Sequence, residues 1–120
     1  MTENTDSLAE SFRPGVTTLR NDKFHRYELH VDGELAVISQ FMDRPGHIDF
    51  IHTETRPQFK GQGLANVLAH FALDDVVASG KRIIPHCPFI AGYLKRHEGY
   101  EQDVDWPKEK PAVESEANNN

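Results

Sequence analysis

At 120 residues and 38% hydrophobic content, the chain is one domain's worth of sequence with enough apolar material for a modest core. Its net charge of −6, from 13 basic against 19 acidic residues with no Lys/Arg-dense block, leaves no footprint for a phosphate backbone and excludes nucleic acid as an expected partner. The single cysteine, Cys87, excludes an internal disulfide framework, and no stretch approaches the roughly 18 apolar residues that span a bilayer.

A reducing, cytoplasmic setting without a membrane partner is therefore expected, with the chain a monomer or weak homodimer. Part of the negative charge lies at the two ends, so the middle keeps room for a small basic patch and an anionic ligand stays compatible with the composition.

Residues 1–13 are rich in Thr, Glu, Asp and Ser, and residues 107–120 carry no periodic apolar signal. Both are expected to be disordered tails around a domain spanning 14–106. Residues 24–31 alternate, with Phe24, Arg26, Glu28 and His30 on one side and His25, Tyr27, Leu29 and Val31 on the other, which is strand periodicity. Asp32-Gly33 suits a type I′ turn, and the alternation returns over 34–42, so a hairpin is predicted. Asp43-Arg44-Pro45-Gly46 reads as a second turn, and 47–55 as a third extended run.

The period then changes. Leu64, Val67, Leu68, Phe71, Ala72 and Val76 recur at helical spacing with Asn66, His70 and Asp74 opposite, predicting an amphipathic helix that ends at Ser79-Gly80. Residues 81–85 are a short β-prone run, and 89–97 a second helix stopped near Gly99. The order β-β-β-α-β-α gives an α/β (mixed α+β) fold class: an antiparallel meander followed by a β-α-β-α unit whose two strands pair in parallel through a right-handed crossover.

Lys60-Gly61-Gln62-Gly63-Leu64-Ala65 sits where a strand hands over to a helix, where unpaired N–H groups and the helix dipole favour an anion. Walker A needs Gly-x-x-x-x-Gly-Lys-Ser/Thr and the dinucleotide fingerprint needs Gly-x-Gly-x-x-Gly; neither is present, so nucleotide hydrolysis and nicotinamide binding lose support. On spacing alone, the two glycines are also compatible with a plain tight turn.

The loop resembles the pyrophosphate loop of the GNAT acyltransferase superfamily, Gln/Arg-x-x-Gly-x-Gly/Ala, onto which Lys60, Gly63 and Ala65 fall in register. Lys60 departs from the usual Gln or Arg, keeping the charge but not the planar guanidinium. The chain is further similar, over about 27–100, to small GNAT-like proteins that consist of little besides the cofactor-binding half. The stretches that carry this are Asp49-Phe50-Ile51-His52-Thr53-Glu54-Thr55, the glycine loop, Pro85-His86-Cys87-Pro88-Phe89-Ile90, Tyr93, and Arg96-His97-Glu98-Gly99-Tyr100. Larger superfamily members carry two helices between their first two strands, where many build the acceptor site; here only Asp32-Gly33 stands there.

The resemblance implies that acetyl-CoA (CoA) is the bound cofactor, with Lys60, Gly61, Gln62, Gly63, Leu64 and Ala65 at its pyrophosphate. His52, Thr53, Glu54 and Thr55 would lie along the pantetheine on a strand that splays from its neighbour. It also implies a general-base carboxylate eleven positions before the loop's first residue, which is Asp49; the alternative is an ordinary polar-face residue of a half-buried strand. Cys87 resembles a cysteine of the small family near the thioester sulfur and is a candidate transient acyl acceptor, with His86 the nearest group to stabilise a thiolate. The alternative is a small buried hydrophobe. Tyr93 resembles the tyrosine that protonates the leaving thiolate, although its spacing to Gly99-Tyr100 is two residues longer than usual, a helical turn of about 200°. Core packing is the alternative.

The 7 histidines form no His-x-x-x-His pair or Cys/His cluster, so no metal is expected. Two functions lead from this reading. One is an N-acetyltransferase that moves an acetyl group from acetyl-CoA to an unidentified amine; the other is a non-catalytic acetyl-CoA-binding sensor or adaptor. A cofactor-free interaction domain is the third.

Overall fold

The computed structural model describes residues 13–107. Five strands, β1 (Val16–Asn21), β2 (Arg26–Val31), β3 (Glu34–Arg44), β4 (His47–Thr55) and β5 (Arg82–Pro85), form one sheet in the order β1-β2-β3-β4-β5. The first four pair antiparallel, and β4 pairs with β5 in parallel. Helix α1 (Leu64–Ala78) crosses between β4 and β5, and α2 (Pro88–Arg96) follows β5. The mixed sheet and the parallel crossover expected from the sequence are thus present.

The turns explain the meander. Asp32 and Gly33 adopt φ of 50° and 87°, the paired positive values of a type I′ hairpin whose twist matches the strands it joins. The second reversal is tighter than the four-residue turn expected. β3 runs on to Arg44, which pairs with His47, so Pro45-Gly46 alone reverses the chain, with proline fixing the first corner and Gly46 at φ 76° the second.

Two other differences lie at the start. Strand β1 was not anticipated; among the described residues it is an edge strand that pairs only with β2, and its Thr17 and Leu19 point outward, so it lacks an apolar alternation to read. Its presence also shortens β2. The chain must reverse over residues 22–25, with His25 at φ 55°, which takes Phe24 and His25 out of the expected strand and leaves Phe24 exposed.

Directly opposed residues share a sheet face. Tyr27, Ser39 and Thr53 lie in one row and Phe41, Phe50 and Pro85 in another; Tyr27 packs on Phe71 of α1 and its hydroxyl donates to Asp75 at 2.8 Å, so these rows face the helices. Burial, followed by that bond to Asp75, pushes the Tyr27 phenol well above its ordinary range. α1 buries Leu64, Val67, Leu68, Ala69, Ala72, Leu73 and Val76, a wider face than the predicted stripe, because it packs on the sheet and also meets α2, whose Ile90, Tyr93 and Leu94 join the same core. It closes as expected at Ser79-Gly80, where Gly80 at φ 82° lets Lys81 N–H reach the Val76 carbonyl and Gly80 N–H the Val77 carbonyl.

Both helices join one core, so the opposite sheet face carries no helix among the described residues. Its rows are Leu19, Glu28, Ile38 and Glu54, and Met42, Asp49 and Ile84. Glu28 is buried there at 6% exposure, within reach of His30 Nε2 at 2.9 Å, Arg26 Nε at 2.7 Å and Asn21 Nδ2 at 2.9 Å. Burial alone pushes its carboxyl up, but these three donors together hold it down to about 2. A folded-state value below that of the unfolded chain means the stabilisation is present above about 4.5 and is lost as pH falls toward 2. Glu28→Gln is therefore expected to cost about 1–3 kcal/mol at pH 7 in urea denaturation, with the gap to wild type closing between pH 4.5 and 2.

Candidate active site

Strand β4 is interrupted by a bulge. Gln40 pairs with His52 and Phe41 with Phe50, so Ile51 is skipped and the alternation slips by one. Asp49 lies on the open face, while Thr53 and Thr55, which a regular strand would put beside it, turn to the helix face opposite Ser39 and Val37. The pairing of β4 with β5 stops in the same place. Its last register pair is Phe50 with Pro85, and Cys87 N–H donates to the Phe50 carbonyl at 2.8 Å; beyond this, β4 runs to Thr55 with no β5 partner. The two parallel strands part at residues 50 and 87, leaving a wedge between them.

Beyond the wedge, a single 3-10 turn (Pro57–Phe59) leads into the glycine loop. Gly61 and Gly63 hold φ of 82° and 74°, values an L side chain adopts only under strain, and Gly63 is the residue from which α1 starts. Among the described residues no side chain caps this helix, and no acidic residue stands in its first turn. The N–H groups of Leu64, Ala65 and Asn66 are left as first-turn donors at the positive end of the helix dipole.

A second cation adjoins the loop. The Arg13 guanidinium donates from Nη1 to the Gln62 carbonyl at 2.8 Å, and its Nη2 lies 3.6 Å from where a Cβ on Gly63 would stand. Thr55, Lys60, Gly61, Leu64, Asn66 and Phe89 line a pocket of about 330 Å³ that runs from the loop to the start of α2. In its wall, the Asn66 side-chain oxygen is buried with no partner among the described residues. An uncapped helix start, two positive-φ glycines and two nearby cations make an anion cradle that opens toward the wedge.

A model of the GCN5-related N-acetyltransferase family matches residues 26–104. The chain belongs to this family. A GCN5-like protein of Staphylococcus aureus, solved in solution, shares the fold at 13% identity and a TM-score of 0.60, covering 84% of this chain and 99% of its own. Two crystal structures align over shorter spans. The ribosomal-protein-S18-alanine N-acetyltransferase of Escherichia coli does so at 14% identity and a TM-score of 0.46, over 65% of this chain and 46% of that one. The ribosomal-protein-alanine N-acetyltransferase of Brucella melitensis does so at 22% and 0.47, over 67% and 62%. No curated protein matches the chain in sequence.

Within the GCN5-related frame, the residues singled out from the sequence separate into groups. Lys60, Gly61, Gln62, Gly63, Leu64 and Ala65 form the loop and helix start; all but Gln62 line the pocket, and Thr55 joins them there. Thr53 lies inside the sheet, its hydroxyl 3.0 Å from Ser39 Oγ and 3.2 Å from Cys87 Sγ. His52 and Glu54 are exposed on the other side, 3.4 Å from each other. Cys87 is 2% exposed and stands at the residue before α2, its side chain making no cap bond to the helix. Asp49 is also buried at 2%, and its Oδ1 is 2.7 Å from His86 Nδ1. His86 therefore serves Asp49 and not its neighbour Cys87, as consecutive residues at the end of β5 point to opposite faces.

Tyr93 is not brought to the loop pocket. It is 1% exposed, stacks on His97 at 3.9 Å and lines a separate cleft of about 340 Å³ with His70, Asp74 and Tyr100. Arg13 and Asn66 had no signal in the sequence, since one lies in a polar lead-in and the other on the helix face that reads as solvent-facing.

The glycines make a test of opposite signs. Gly61→Ala is expected to lower stability by about 1 kcal/mol, because φ of 82° disfavours any Cβ although nothing crowds it. Gly92→Ala, in α2 at ordinary helical φ, is expected to raise stability by about 0.5–1 kcal/mol, its Cβ meeting only the movable tip of Arg96 at 3.3 Å. Urea midpoints of the two variants check both.

Proposed function

We propose that the protein is an acetyl-CoA-dependent N-acetyltransferase that acts on an amine. The observation that carries this reading is the anion cradle at the start of α1, opening onto the wedge between β4 and β5, in a chain of the GCN5-related family. The residues fit an acyl-CoA. A Cβ on Gly61 would meet no atom of the described residues within 4 Å, which leaves space there for a phosphate to approach the backbone. The orphaned Asn66 oxygen offers an acceptor in the pocket wall, matching the amide N–H groups of a pantetheine arm.

Bound there, acetyl-CoA supplies an acyl carbon activated by its thioester. The chain's own part is to hold it. The loop backbone and first-turn N–H groups take the pyrophosphate with Lys60 and Arg13 beside them, and the unpaired length of β4, His52 to Thr55, lies along the arm. Thr53 and Cys87 close the wedge from the helix side. In fuller members of the family, helices between the first strands shape the acceptor site. Here the β1–β2 connection is residues 22–25 and the β2–β3 connection Asp32 and Gly33, with no helix in either, and this favours as a second reading an acetyl-CoA-binding module without turnover.

Calorimetric titration is expected to show binding of acetyl-CoA and CoA but not of NAD or ATP; equal or absent binding of the CoA pair would overturn the proposal. Gly63→Glu puts a side chain and a negative charge into the cradle, and is expected to weaken acetyl-CoA at least about tenfold with the fold retained. Arg13→Gln is expected to weaken it a few-fold, and Cys87→Ser to leave affinity unchanged. Acetyl transfer to members of an amine panel separates the enzyme from the module.

A further inference from the structure

Asp49 is placed on the open sheet face between Met42 of β3 and Ile84 of β5, and its carboxylate is 3% exposed. A buried carboxylate needs partners. It has two: His86 Nδ1 at 2.7 Å from Oδ1, and Arg44 Nε at 3.5 Å from Oδ2. At 3% exposure, the Asp49 carboxylate is shielded from an incoming amine. His86 is not. Its side chain is 53% exposed, and Nδ1–H is turned inward as the donor to Asp49, which leaves the Nε2 lone pair as the free acceptor.

The backbone places this imidazole at the mouth of the wedge. Pro85 is the last residue of β5 in register with β4, and Cys87 makes the last rung to Phe50; His86 stands between them and projects to the face that carries no helix. The charged and titratable groups around it are Asp49 of β4 and Arg44 of β3, with His52 and Glu54 farther along β4. A buried, ion-paired carboxylate orienting one nitrogen of a solvent-facing imidazole is the geometry of a base held in a single tautomer.

We infer that His86, oriented by Asp49, is the general base that takes the proton of the acceptor amine. This rests on the acetyltransferase reading above and names the face from which the acceptor arrives. His86 Nε2 accepts the amine proton as the C–N bond forms and the thioester C–S bond breaks, and the imidazolium then returns that proton to the departing thiolate. Atoms and charge balance with no further reactant. Asp49 touches no reacting atom and acts as a positioning residue. Cys87, on the other face, has no part in this step.

The test pairs a spectroscopic readout with kinetics. In the full chain without ligand, nitrogen-15 NMR of the imidazoles is expected to show His86 as the Nδ1–H tautomer; an Nε2–H tautomer overturns the inference whatever the activity. His86→Gln, a change at a half-exposed side chain, is expected to lower kcat about a hundredfold or more, to abolish the acid limb of the kcat/KM profile, and to leave acetyl-CoA affinity by calorimetry within threefold. Asp49→Asn is expected to lower kcat with KM for the acceptor little changed. Wild-type turnover in His86→Gln overturns the base assignment alone. Acetyl-CoA binding without transfer to any amine overturns it together with the catalytic reading, and absent binding overturns the function on which both rest.

Discussion

The skipped residue in β4 is the constraint on which the site depends. In a regular strand, Asp49 and Thr53 would share a face; the bulge at Ile51 sends the carboxylate to the open side and the threonine to the core. β5 answers with ordinary alternation, His86 outward and Cys87 inward, so each residue meets the partner that the bulge has left on its side. A carboxylate–imidazole pair and a hydroxyl–thiol pair thus occupy the two faces of a sheet one peptide thick. They flank the point where β4 and β5 cease to pair.

The electrostatics are local in the same sense. A chain of net charge −6 is not an obvious host for an anion. Screening, however, confines the influence of distant surface charge to about 8 Å at physiological ionic strength. What a ligand at the loop meets is the Arg13 guanidinium on the Gln62 carbonyl, Lys60, and a helix end without cap or acid. Elsewhere some carboxylates have their own cations: Arg82 and then His47 hold Asp105 well below the usual carboxylate range, and Lys81 and Arg20 hold Asp43 down. Most of the acidic surplus lies outside the described residues: of the 19 acidic and 13 basic residues, 6 and 2 fall in 1–12 and 108–120, which leaves 13 against 11 in the domain that carries the cradle.

Much of the fold was legible because the signals were local. Asp32-Gly33 demanded a hairpin through the backbone freedom of two residues, and the change from period two to period 3.6 after residue 60 marked the crossover helix. The parallel pairing followed from chain order alone. Strand β1 escaped because an edge strand with one solvated side needs no apolar alternation, and the start of β2 was misplaced for the same reason. The bulge escaped because skipping one residue leaves composition untouched. At the site, the loop was readable from its glycines, whereas the Asp49–His86 contact joins residues 37 apart whose meeting depends on the register of β5 and on the bulge together. Arg13 reaches the loop across 49 residues, and no spacing rule covers that distance.

The strand order repeats the chain order, and this has a kinetic side. Three of the four strand pairings are hairpins between sequence neighbours, which form with little loss of chain entropy. The fourth, β4 with β5, must enclose the whole of α1 and rests on four residue pairs. The seam with the largest loop-closure cost is therefore the one beside which the cradle, the thiol and the imidazole are arrayed. A ligand that spans it acts as a staple: its binding free energy adds directly to the cohesion of the least local joint in the chain.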